Sequence, residues 1–266
     1  MRLTVRLSML GVLLSVAACG GGGDDNGADT TTVTITPLLD AVPAGMTEDE
    51  ALADVAAVME ERAALLEGSA TTVVNADGSI TVEASDIAED VARELFGTTA
   101  LMRMQQPQRD AIGSILCSAP DGSQTAISIL KVTYPVTGGT RLPKCDLGND
   151  ILGDILWEPA TGNAGEELTG NEIDAVGLTT EQGPTLVVHF LMEANQVLFA
   201  ISTRLVDLPL GIFIDDDLVS GPTVSEPIIN GRITIAGLSL RDARILRAQL
   251  EAGELPVPVS VSNAAD

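Results

Sequence analysis

Residues 208–259 read LPLGIFIDDDLVSGPTVSEPIINGRITIAGLSLRDARILRAQLEAGELPVPV. Leu210–Ile214 is an apolar run of strand length, and Asp215-Asp216-Asp217 is a polar break that turns the chain back. Pro222 and Pro227 punctuate the path to a second run, Gly231–Ala236. Ser239, with Asp242 three residues on, then opens a helix whose apolar face is Ala243, Leu246 and Leu250. Gly253 ends that helix before a Pro-rich exit. A hairpin leading into a capped helix predicts an α+β unit.

The same alternation continues upstream. Thr185–Met192 reads as a strand and Ala194–Val206 as a helix, so a second module begins near Glu166. At the other end of the chain, Val33 and Ile35 alternate with threonines and suit a half-buried strand ending at Pro37. Thr47 and Glu50 form a capping box for a helix with Leu52, Val55, Met59 and Leu66 on one face, stopped by Gly68. Thr71–Asn75 and Ser79–Ala84 flank Ala76-Asp77-Gly78 as a β-hairpin. Ser85 starts a second helix closed by Gly97, and Thr99–Gln105 is a fourth strand. This order is that of a ferredoxin-like unit with its last strand missing or moved. Between the two modules, Ala111–Cys117 and Thr125–Tyr134 look like strands in an otherwise Gly- and Pro-broken elaboration.

The first residues carry a different message. Arg2 and Arg6 precede the apolar run Leu7–Leu14, which is far short of the roughly 20 residues a bilayer span needs. Val16-Ala17-Ala18-Cys19 matches a lipobox, so Cys19 is the expected site of lipid (palmitate) attachment after signal-peptide removal. The competing reading is an ordinary secretory signal with a chance cysteine. Gly20–Gly23 and the acidic, Thr-rich residues to Thr32 suit a flexible tether. Gly20–Gly23 lacks the Lys-Ser/Thr of a phosphate loop. On this reading the protein is extracytoplasmic and held to a membrane by lipid alone. Cys117 and Cys145 are then an even pair in an exported chain, which predicts a disulfide. The alternative is two free buried thiols.

Composition limits the partners. The net charge of −24 repels phosphate backbones and anionic headgroups, and an aromatic content of 2% leaves no base-stacking surface, so no nucleic acid is expected. No catalytic constellation stands out, and no enzyme is predicted. His189 is the only histidine, lies in an apolar strand and has no nucleophile motif nearby, so a structural role outweighs a general base. Ser220-Gly221-Pro222 is not a nucleophile elbow. Asp215-Asp216-Asp217 could ligate calcium, but a polar turn accounts for it, and no metal or other cofactor is expected. Arg241, Arg244 and Arg247 read as the solvated side of a helix. The apolar residues Phe213, Leu218 and Val219 are either core or a shallow polypeptide-binding groove.

Two blocks of this chain resemble the first periplasmic domain of SecD, a membrane subunit that assists protein export. Gly97-Thr98-Thr99-Ala100 stands where the family has Gly-Lys-Thr-Ala. Leu210–Asp215, Val219–Pro222, Glu226-Pro227-Ile228, Gly231-Arg232, Ile235-Ala236-Gly237 and Ala252–Pro256 follow the family's phrasing closely. The helix end at Glu60-Glu61-Arg62 departs from the family's arginine-rich one. The resemblance implies a ferredoxin-like base and a mobile α+β head. The corresponding divisions are 1–18 (signal peptide), 19–32 (tether), 33–106 (base), 107–165 (elaboration) and 166–262 (head). It further implies a non-catalytic accessory that binds emerging polypeptide or the Sec translocon. No six-helix membrane part is read in this sequence, so the family's mechanism carries over as a binding shape and not as a proton-driven engine. The alternative is an envelope scaffold that kept the fold without an export role.

Overall fold

The computed structural model describes residues 30–137 and 140–263, so the signal, Cys19 and nearly all of the expected tether lie outside the described residues, as does Gly138-Gly139. The chain opens with β1 (Thr30–Pro37), α1 (Glu48–Leu65), β2 (Ser69–Val74), β3 (Ile80–Ser85) and α2 (Glu89–Phe96). It crosses at residues 97–101 into β4 (Met102–Pro107). The elaboration holds β5 (Ile115–Ser118), β6 (Gln124–Ile127), β7 (Val132–Thr133), β8 (Val136–Thr137), β9 (Thr140–Arg141), β10 (Lys144–Gly148) and β11 (Ile151–Ile155). Next come β12 (Trp157–Pro159), β13 (Ile173–Thr179), β14 (Thr185–Phe190), α3 (Asn195–Arg204), β15 (Gly211–Ile214) and β16 (Asp217–Ser220). Last are β17 (Arg232–Ala236), α4 (Leu240–Ala252) and β18 (Val259–Asn263).

The base sheet runs β18-β1-β3-β2 with every neighbouring pair antiparallel, which is the strand order of a ferredoxin-like unit. Its fourth strand is not the one expected from the local pattern. The Thr99–Gln105 segment appears as β4 and pairs with β12 and β15 in a different sheet. The vacated place beside β1 is taken by β18, from the far end of the chain, through pairs such as Ile35–Val261. The head and the elaboration are therefore inserted between α2 and the last base strand, and the expected boundary at residue 106 falls inside β4. Val33, Ile35, Ile80, Val82 and Ala84 bury one sheet face beneath Val55, Met59 and Leu95 of the two helices.

The capping box at Thr47 forms as the sequence pattern requires. The Thr47 hydroxyl accepts from Glu50 N–H at 3.2 Å, and the Glu50 carboxylate accepts from Thr47 N–H at 2.8 Å. Thr47→Ala should cost about 1 kcal/mol in urea denaturation; a loss under a few tenths would mean α1 is held by packing alone. Gly68 follows a left-handed Glu67, φ 64°, and a Cβ on Gly68 would lie 2.7 Å from Ile87 Cγ1. The second helix begins at Glu89 rather than Ser85, because Ser85 is still paired with Thr30 and Ser69 in the sheet.

Three larger sheets and one two-stranded pair build the rest. The elaboration is the five-stranded sheet β6-β5-β11-β10-β7, with β8 and β9 as a small separate pair. Cys117 on β5 and Cys145 on β10, both fully buried, are bonded to each other across the intervening β11. The head contains β12-β4-β15-β16 and β13-β14-β17. Helix α4 serves both cores. Ala243, Leu246 and Leu250 pack into the head, whereas Ile245 and Ala248 pack into the base. Arg241 is not simply solvated as expected: it pairs with Asp90 (3.0 Å) and Glu94 (2.5 Å) on α2.

Candidate functional site

The β15–β16 hairpin places the three groove candidates on two different surfaces. Phe213 and Leu218 are cross-strand partners, so they share a face. Phe213 is only 7% exposed and meets Trp157 edge-to-face, with centroids 5.6 Å apart. Gly211 allows this, since a Cβ there would sit 2.8 Å from the Phe213 ring. Val219 faces the other way, against the head core and the cleft beside α4. Asp215-Asp216 is the hairpin turn, and Asp215 adopts φ 51°. Its carboxylate accepts from Thr99 N–H at 3.2 Å and Leu101 N–H at 3.1 Å. Those two backbone partners account for its position. Among the described residues no cluster of three or more His, Cys, Asp or Glu side chains could hold a metal.

A different surface carries an apolar groove. The connection from β16 to β17 folds back so that Thr223 bridges Pro209 and Val224 bridges Val206. Between this wall and β17 lies a groove of about 290 Å³, floored by Leu210, Ile212, Ile228 and Ile233 and rimmed by Glu226 and Arg232. Strand β17 is the edge of its sheet. Phe190 N–H donates to Gly231 C=O at 2.9 Å, which fixes the pairing phase: Ile233 and Ile235 bond inward to β14. The N–H and C=O groups of Arg232 and Thr234 therefore point outward along the edge, toward the groove. Gly231 sets the entry to this strand at φ 62°, where a Cβ would be 2.0 Å from Asn195 Oδ1. His189 is half-buried on β14, opposite Arg232 and Ala175, with no nucleophile arranged on it.

The junction of base and head is polar. Arg62 of α1 is 0% exposed. Its guanidinium donates to Leu95 O (3.0 Å), Thr98 O (2.8 Å), Thr99 O (3.2 Å) and Gly253 O (3.2 Å). Burial pushes its pKa down to about 10, against the opposing pull of Asp215, so it remains charged at neutral pH. Nearby, one oxygen of half-buried Glu254 is shielded from solvent with no hydrogen-bond partner. Burial pushes the Glu254 carboxyl up, and the Arg103 charge pulls it partly back. The folded state thus holds that proton more tightly than the unfolded chain. This favours folding at low pH and is lost as pH rises through the raised value. Glu254→Gln should raise the urea midpoint at neutral pH and leave it unchanged at about pH 3; an equal shift at both would rule out titration as the cause.

Sequence reasoning missed both the β17 groove and the role of Arg62. Two signals were available: Pro222 and Pro227 bracketing the groove wall, and a lone arginine on the apolar face set by Val55, Met59 and Leu66.

The architecture defines a class first: a ferredoxin-like base with an inserted α+β head. Residues 158–257 match the family described as SecDF, P1 head subdomain. Protein translocase subunit SecD of Petrotoga mobilis is 33% identical over 100 residues, covering 36% of this chain and 21% of that protein. SecD of Thermobaculum terrenum is 33% identical over 99 residues (35% and 19%), and SecD of Dehalococcoides mccartyi 35% over 115 residues (39% and 26%). The chain thus spans about a fifth to a quarter of the length of these curated relatives. One similar solved structure is described as "Structure and function of a membrane component SecDF that enhances protein export". It has a TM-score of 0.57 and 18% identity over 88% of this chain and 99% of that one. SecDF in its super-membrane-facing form gives a TM-score of 0.59 at 18% identity, over 89% of this chain and 30% of that one. At such identity these two structures speak to fold alone.

Proposed function

We propose that this protein is a non-catalytic accessory of protein translocation that works outside the cytoplasm, tethered through lipid on Cys19. It holds emerging polypeptide, or a translocon component, on its head. The match of residues 158–257 to the head of a translocase subunit carries this reading. The lipobox motivates the anchor, and no described helix is long and apolar enough to cross a membrane. The β17 groove is the better seat for a chain than Phe213, Leu218 and Val219, which the hairpin divides between two faces. An extended segment can pair with Arg232 and Thr234 along the strand edge and place alternate apolar side chains on Ile212, Ile228 and Ile233.

The test is photo-crosslinking in living cells from Ile229, which is 80% exposed at the groove, with Phe213 as the buried control. Exported precursors or SecY captured from Ile229 and not from Phe213 support the reading. Capture of neither, with recovery of cell-wall or transporter proteins instead, would favour the scaffold alternative. Labelling with radioactive palmitate, lost in Cys19→Ser, tests the anchor separately.

A further inference from the structure

We propose that the elaboration carries a membrane-docking face, directed at a bilayer with anionic headgroups. The net charge of −24 predicts repulsion from such a surface, but the charge is unevenly placed. Between Asp121 and Asp146 the chain runs 24 residues, 122–145, without one Asp or Glu, although it holds 38 of them in all. The same stretch contains Lys131, Arg141 and Lys144, and so both lysines of the protein. Lys144 pairs with Asp154. Among the described residues Lys131 and Arg141 have no ion-pair partner, and both are exposed.

Aliphatic side chains project beside these cations. The Ser128 hydroxyl accepts from Leu130 N–H at 3.4 Å and its C=O from Lys131 N–H at 2.9 Å, which closes a 3-10 turn over Ile129–Lys131. Ile129 and Val132 pack inward. Between them the turn presents Leu130, 91% exposed, and Lys131. Strand β10 lies against this turn, and its hairpin with β11 leaves Ile151 and Leu152 exposed just past the Asn149-Asp150 bend. Val136 of β8 is exposed opposite Arg141 of β9. Most of these residues stand at turns and project singly. A bilayer closes around such projections, whereas a folded partner would need a hollow matched to each. Apolar tips flanked by unpaired cations are satisfied together where headgroups meet acyl chains. The acidic bulk of the protein is repelled by the same surface, which leaves one approach. Within the stretch, the Tyr134 and Thr223 hydroxyls share a hydrogen bond at 2.5 Å, and this sets the β17 groove beside the membrane-facing unit.

The proposal rests on neither the export reading nor the lipid on Cys19, and its test uses neither. The chain from residue 19 onward, with Cys19→Ser, is floated with vesicles of phosphatidylglycerol and phosphatidylcholine in equal parts, and with phosphatidylcholine alone. Binding to the mixed vesicles is expected, falling as salt is raised, with much less on phosphatidylcholine. Leu130→Ser should weaken it about tenfold and Lys131→Gln roughly fivefold. Both positions are exposed, so circular dichroism should stay native. Phe199→Ser, an exposed residue of the head, should leave binding unchanged. No binding to the mixed vesicles would overturn the proposal, as would Leu130 and Lys131 variants that bind like the parent. A photo-crosslinker at Leu130 in cells that captures a protein and no lipid would make the face a protein interface and overturn it equally.

Discussion

Arg62→Met is expected to lower the unfolding free energy by about 3–5 kcal/mol, the largest loss from any single substitution considered. A methionine fills much of the space but offers no donor. Four carbonyls then lose a charged donor beside a fully buried side chain, although Thr99 C=O keeps the Leu255 N–H. Part of the loss is returned, because the parent bears the cost of burying a cation, the same cost that pushes the guanidinium down to about 10. Arg62→Lys separates the two effects. It keeps the charge but lacks the planar fork, so it should recover less than half of the loss. Urea midpoints of the three proteins decide the matter, and a loss below about 1 kcal/mol for Arg62→Met would show that the carbonyls find water unaided.

Removal of the Cys117–Cys145 bond is the second large effect. The cysteines are 28 residues apart in sequence, and the chain-entropy relation gives about 3.5 kcal/mol for closing such a loop. The bond spans β5 to β10 across β11, within the elaboration, and touches neither the base sheet nor the β17 groove. Cys117→Ala with Cys145→Ala should therefore melt the five-stranded sheet early and leave the base core protected. Hydrogen exchange resolved by segment checks this. Uniform loss of protection through base and head would mean that the elaboration is part of a single cooperative unit.

Element types were legible where the period was clean. The alternation of Val33 and Ile35, the Thr47–Glu50 box and the Ser239 cap each appear where the pattern placed them, because those signals are local. Strand partnership was not legible. Met102–Pro107 reads as a strand whatever it pairs with, and no feature of its own residues tells β1 from β15. The same limit hid β18, a short Val-Ser alternation that resembled a tail until its partner was known. The placement of the three groove candidates was hidden for another reason. Val219 is the extra residue of a bulge between the Phe213–Leu218 and Ile212–Ser220 pairs, and a bulge cannot be read from the local alternation. Arg62 was read against the family's pattern of helix-end arginines rather than against its own helix, where it is the only charge among the buried residues of α1.

The pairing of β1 with β18 has a further consequence. Strand β1 finds its outer neighbour only in β18, more than 220 positions further along the chain. A chain made in order therefore cannot finish this sheet when its first strands appear. Until β18 arrives, β1 keeps one edge bare, and loop closure over that distance comes late and slowly. A product cut before Val259 would be damaged at β1, far from the cut.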